Sequence, residues 1–238
     1  MKPFLAIDSA TEYCSVALGQ GSDVISRGAE LPRQHSQALL PYVDEVLAEA
    51  GLSLDQLSAI VVSQGPGSFT GVRIGASMAQ GLAFSQDLPL VQVSTLAAMA
   101  QASYRLHQAN QVLAAIDARM GEVYWGTYGL QNGLMQAIDE ERVCAPEQVS
   151  LPASATQNDL WFSCGTGWET YPQVLSDRIK AQCADIDLRP ANGVRLPHAI
   201  DMLSLGEVYF AQGRAIAAED LSPHYLRNEV TWQKLPGR

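Results

Sequence analysis

Ser63-Gln64-Gly65-Pro66-Gly67-Ser68-Phe69-Thr70-Gly71-Val72-Arg73-Ile74-Gly75 decides how this chain is read. It follows Ala59 to Val62, an apolar run of strand length and β-branched content. Ser68 or Thr70 can cap the free amides of a helix whose residues to Phe84 are mostly good helix formers. Strand, glycine turn and helix start together form a geometry able to bind an anion: free N–H groups, no Cβ in the way and a partial positive charge. A P-loop is excluded, because Thr70 stands where the second glycine belongs and no lysine follows. The dinucleotide fingerprint fits poorly as well, since its third glycine arrives one residue late, at Gly71. A turn that only lets helix and strand pack closely accounts for the residues equally well.

Working outward, Phe4 to Asp8 reads as a strand, Ser9 to Glu12 as a turn, and Cys14 to Leu18 and Val24 to Ala29 as further strands. A helix is expected from about Gln34 to Ala50, with Gly51 as its stop. After the glycine turn and its helix come a strand at Leu90 to Ser94 and a helix from Thr95 to about Ala109. The second half repeats the first. Ala6-Ile7-Asp8 recurs 109 positions later as Ala115-Ile116-Asp117, before a strand at Val123 to Tyr128. Ser63-x-Gly65-x-Gly67 recurs as Ser163-x-Gly165-x-Gly167, between a strand at Leu160 to Cys164 and a helix from about Glu169 to Gln182. The expected architecture is a duplicated α/β fold of two mixed-sheet subdomains, 1–109 and 110–238, with a cleft between them. After about Gln212 periodicity fades, and Trp232 is expected to pack the tail down.

Composition bounds the function. The 238 residues carry 15 lysines and arginines against 25 acidic residues, a net charge of −10, and no basic run. Strong nucleic-acid binding by the chain alone is not expected, since it depends on neutralising phosphates. Near the start only Phe4 to Ile7 is apolar, so neither a signal peptide nor a spanning helix is read and a cytoplasmic location is expected. Cys14, Cys144, Cys164 and Cys183 form no Cys-x-x-Cys pair, which suits reduced thiols rather than zinc.

Two copies of strand, aspartate, turn and strand, plus two glycine turns, resemble the actin-like ATPase and sugar-kinase superfamily of ribonuclease H-like folds. In that superfamily such elements embrace a nucleotide, which makes Asp8, Gly65 and Gly67 the candidate, vestigial phosphate-loop residues. Capping of turns by Asp8 and Asp117 is the alternative reading. More specifically, Ile7-Asp8-Ser9-Ala10-Thr11, His35-Ser36-Gln37 before Leu39-Leu40-Pro41, and the whole of Gly65 to Gly75 resemble the bacterial TsaB (YeaZ) family. Asp117-Ala118-Arg119, Glu122-Val123-Tyr124 and Pro223-His224-Tyr225-Leu226-Arg227 are similar to its later motifs.

The resemblance implies a non-catalytic partner of the transferase TsaD in adding threonylcarbamoyl to the adenosine beside the anticodon of certain tRNAs. It implies the ATPase TsaE as a third member, a homodimer when TsaD is absent, and no cofactor. TsaD-like transferases carry a His-x-x-x-His pair for a metal, whereas here Leu39 stands four positions after His35. No metal ligands and no catalytic residues are therefore assigned. A peptidase has no Gly-x-Ser-x-Gly elbow to rest on. A small-molecule kinase or ATPase is the stronger rival, with Asp8, Gly65, Gly67 and Gly165 available for ATP.

A partner surface is expected on two helices. Gly71, Gly75, Ala79 and Ala83 recur every four residues, so that another helix can approach closely; a buried core helix has the same look. The resemblance makes His35, Leu39, Val43, Val46, Gly71, Arg73, Gly75, Met78, Ala79 and Leu82 the expected contacts. Arginine at Val43 or Ala79 is expected to block association without unfolding the chain.

Overall fold

The computed structural model describes residues 2–20 and 23–227, so Trp232 lies outside the described residues. The first half runs β1 (Phe4–Asp8), β2 (Tyr13–Gln20), β3 (Asp23–Glu30), α1 (His35–Ala50), β4 (Ala59–Gly65), α2 (Phe69–Ser85), β5 (Leu90–Ser94) and α3 (Thr95–His107). The second runs β6 (Gln111–Arg119), β7 (Glu122–Gln131), β8 (Leu134–Ala137), β9 (Arg142–Cys144), β10 (Leu160–Cys164), α4 (Thr166–Thr170), α5 (Pro172–Gln182), β11 (Asp187–Pro190) and α6 (Ala199–Ala211).

The first sheet has the order β3-β2-β1-β4-β5, antiparallel across the hairpins and parallel from β1 to β4 to β5. The second repeats this plan as β11-β10-β6-β7-β8, with β9 also pairing β7. Both Ala-Ile-Asp copies lie on the central strand of their sheet, the first ending β1 and the second two residues before the end of β6; Gly65 ends β4 and Gly165 directly follows β10, with φ of 98° and 102°. The fold is thus a duplicated ribonuclease H-like unit of the actin-like kind. Both faces of the first sheet are covered, which is why β1 and much of β4 read as unbroken apolar runs.

Three expectations need correction. The helix placed at Glu169 to Gln182 is two, because Pro172 lacks an amide donor and begins a new helix after Tyr171. The sequence reading held no helix at 199–211, yet α6 is there, buried on several sides with no single apolar stripe to betray it. The boundary at Asn110 separates the sheets but not the cores. α3 packs on β6, β7 and β8, while α6 crosses back over β1, β2, β4 and β5. Gly206 permits this, since a Cβ there would lie 2.4 Å from Val61. Ile216 bridges to Leu90, so the chain after α6 also belongs with the first sheet.

The α3–α6 contact carries an ion pair of Arg105 with Asp201, at 2.7 and 3.0 Å. The aspartate side chain is 1% exposed and the arginine 44%. Burial pushes the Asp201 carboxyl up and Arg105 opposes it. Removing the arginine strands a desolvated carboxylate, although solvent at Arg105 weakens the pair. Arg105→Ala is expected to lower stability by about 1–3 kcal/mol, and Asp201→Asn added to it should recover part of the loss in denaturant melts.

Candidate functional site

The cleft between the two sheets is a cavity of about 320 Å³ lined by Thr11, Glu12, Ser68, Asp117, Arg119, Thr166, Glu169 and Arg195, among others. Its arginines are spoken for. Arg119 donates to Asp117 at 2.9 Å and, across the cleft, to Glu12 at 3.0 Å. Arg195 joins Glu169 at 2.9 Å and Glu30 at 3.2 Å, again linking the halves. Asp117 lies on this cleft, with Oδ1 accepting the Arg119 amide at 2.9 Å.

Asp8, its counterpart, does not line the cleft. It is fully buried, and Oδ1 accepts the Ala10 amide at 3.1 Å. Burial pushes the carboxyl up to about 6, opposed more weakly by Ser63 and the Ala10 and Ser9 amides. Between about pH 4 and 6 the folded chain therefore holds a proton that the unfolded chain has released. Stability falls as pH rises through that window, by up to about 3 kcal/mol in all. Asp8→Asn keeps the acceptor for Ala10 and is expected to be more stable than the parent at pH 8. The gain should vanish near pH 3.5, and denaturant melts at the two pH values check it.

The glycines have a packing role. A Cβ on Gly67 would stand 2.1 Å from the Ala10 carbonyl oxygen, and one on Gly71 would stand 2.2 Å from that of Ser9. The Ser68 amide donates to Ala10 O at 2.7 Å, and Ser68 Oγ caps α2 by accepting from Gly71 N at 3.3 Å. Two donors of the turn are thus committed to the protein, and the turn sits directly on the β1–β2 connection. Gly165 and Gly167 pack against Ala115 in the same way. As phosphate-loop residues Asp8 and Gly65 need correction, the one sealed in the core and the other buried and facing the His224 carbonyl, whereas Gly67 does line the cleft.

The helix stripe is corrected too. Gly71, Gly75, Ala79 and Ala83 are buried within the chain, the two glycines against Ser9, whose hydroxyl donates to Gly71 O at 2.8 Å. Leu39, Val43 and Val46 fill the same core from α1, and His35 is buried with its Nε2 3.4 Å from Glu12 O. None of these eight residues can present a surface. Met78 and Leu82 are half-buried at the edge of that core, and Arg73 is exposed. The outer face of α2 carries Arg73, Ser77, Gly81 and Phe84, with Phe69 at its start; Phe69 is 64% and Phe84 78% exposed. A Cβ at Gly81 would meet nothing within 4 Å. A mid-helix glycine costs about 1 kcal/mol relative to alanine, and nothing among the described residues repays it. Leu40, on α1, is the other exposed large apolar residue of these two helices.

Burial pushes the Cys14 and Cys164 thiols up to about 12 and so keeps them unreactive. Among the described residues no cluster of three or more His, Cys, Asp or Glu is placed to hold a metal ion, and no helix is long and apolar enough to cross a membrane.

Comparison with known proteins places this geometry. The family model TsaD, tRNA N6-adenosine threonylcarbamoyltransferase, matches residues 29–234. The chain is 45% identical to the tRNA threonylcarbamoyladenosine biosynthesis protein TsaB of Escherichia coli, over 98% of each chain. It is 44% identical to the protein of the same name from Haemophilus influenzae, over 98% of this chain and 97% of that one. The chain belongs to the TsaB family. A solved structure of YeaZ from Pseudomonas aeruginosa, 44% identical, superposes with a TM-score of 0.83 over 95% of this chain and all of the other. TsaB membership agrees with the motifs from Ile7 to Thr11 and Gly65 to Gly75. The sequence reading missed Phe84 and Gly81 as surface residues of this TsaB chain, and a glycine in mid-helix was the available signal.

Proposed function

We propose that this chain is a non-catalytic member of the machinery that adds threonylcarbamoyl to tRNA adenosine, and that it acts by docking on a TsaD-type transferase. The docking surface is the part of the outer face of α2 that lies beyond Arg73, namely Ser77, Gly81, Phe84 and the flanking edges of Met78 and Leu82, together with Leu40 of α1; Phe69 and Arg73, at the start of the helix, stay outside it. The observation that carries this reading is Gly81. It leaves bare backbone open on a helix face, and helices approach most closely where side chains are smallest. A second copy of the chain takes the same face when the partner is absent, and TsaE joins the assembled pair in the cytoplasm. The transferase supplies most of the tRNA grip, which suits a subunit of net charge −10. The chain biases its partner toward a competent conformation, by no more than its difference in affinity for the partner's two states.

An ATP-dependent kinase or ATPase is the second reading, favoured by the cleft and by Asp117 on its wall. The glycine turns committed to packing and the acid-paired arginines count against it. Titration of the chain with ATP and magnesium is expected to release no phosphate. Turnover at micromolar ATP would favour the enzyme.

A further inference from the structure

Beside the first glycine turn lies a second cavity, of about 460 Å³, whose walls include Phe69, Arg73, Arg119, Tyr225 and Arg227. Arg73 places its guanidinium carbon 3.2 Å from the centroid of the Phe69 ring and 4.9 Å from that of Tyr225. The two rings are 5.8 Å apart, inclined at 35°. Arg119 is paired with Asp117 and Glu12, and Arg227 with Glu122. Arg73 has no carboxylate partner among the described residues; its one hydrogen bond there is to the Phe69 carbonyl, at 3.2 Å. Stacking occupies the flat face of a guanidinium and leaves the in-plane donors for an anion. Three of the chain's 15 lysines and arginines meet on this one cavity. The wall also includes the tip of the β6–β7 hairpin, where Arg119 and Met120 adopt φ of 61° and 57°. Positive φ at two successive side-chain-bearing residues is strain, which folds tend to keep beside working surfaces.

An acidic peptide would satisfy the arginine and leave the exposed rings unused. A planar base with its phosphate uses both, since aromatic platforms beside arginines are how unpaired nucleotides are held. We propose that this cavity holds one unpaired nucleotide of RNA, its base against the Phe69 and Tyr225 rings and its phosphate at Arg73. The proposal rests on the reading that the chain works in a tRNA-modifying complex, and it deepens that reading. The site is a local contact within the assembly, since the acidic balance of the chain opposes RNA elsewhere on its surface.

The test uses the complex of this chain with its TsaD-type partner and, as probes, a labelled anticodon stem-loop RNA and AMP. Phe69→Ala is expected to weaken binding of the stem-loop about tenfold with no change in its salt dependence. Arg73→Ala should reduce the slope of log affinity against log salt by about 0.7, the signature of one lost single-strand phosphate contact. Both residues are exposed, so thermal melts and co-sedimentation with the partner should match the parent. Unchanged RNA affinity and slope in both variants would overturn the proposal while leaving partner docking intact. Loss of partner association in both would overturn it by making the site a protein contact. Competition by AMP at the concentrations where the stem-loop binds would reassign the site to a free mononucleotide.

Discussion

Gly81→Arg is expected to leave the chain folded, slightly more stable, and unable to associate with a TsaD-type partner. Arginine has a better helix propensity than glycine by somewhat under 1 kcal/mol, and a Cβ at this position meets nothing within 4 Å, so the isolated chain gains. In a close helix pair the same side chain has nowhere to go. It must push the backbones apart or be buried as an unpaired charge, and either costs several kcal/mol. A loss of association of 100-fold or more is expected by calorimetric titration. Ala79→Arg supplies the contrast. Ala79 is fully buried in the core shared with α1, so arginine there is expected to unfold the chain, and the same holds at Val43. A folded, non-associating Ala79 or Val43 variant is therefore excluded by the burial of both residues in one core. A thermal melt separates the two outcomes before any partner is added.

The second large effect concerns the duplicated turns. Gly165 has φ of 102°, and a Cβ there would lie 2.2 Å from the Ala115 carbonyl oxygen, on the central strand of the second sheet. Alanine at this position suffers both a backbone conformation that side chains avoid and a collision that only movement of β6 can relieve. Gly165→Ala is expected to lower stability by about 3–5 kcal/mol, enough to unfold a marginal domain. Gly193→Ala is the control, with φ of 84° but no atom within 4 Å, and it should cost about 1–2 kcal/mol. Equal losses in the two variants would show that backbone conformation, rather than close packing of the turn, determines the effect.

Much of the fold was legible because its signals are local. Apolar runs ending in Asp8 and Asp117 marked the central strands, Gly51 marked a helix end, and the paired Ser-x-Gly-x-Gly turns marked the repeat. α6 was not legible, because a helix buried on several sides has no period to read, and the return of residues 199–227 to the first sheet depends on contacts far apart in sequence. The candidate surface was half legible. α2 carries small residues on two sides, Gly71, Gly75, Ala79 and Ala83 on one and Ser77 and Gly81 on the other. Spacing alone cannot say which side meets the β1–β2 turn; the approach of Ser9 decides it. The sequence showed Arg73 only as an expected partner contact, because its second ring, Tyr225, comes from 152 positions further along the chain.

Sedimentation velocity of the chain mixed with its TsaD-type partner, with Gly81 intact and with Gly81→Arg, tests the central claim most directly. A single faster boundary for the parent, resolved into two separate species for the folded variant, is the predicted result. A variant that remains in the joint boundary at the same concentrations would contradict the account.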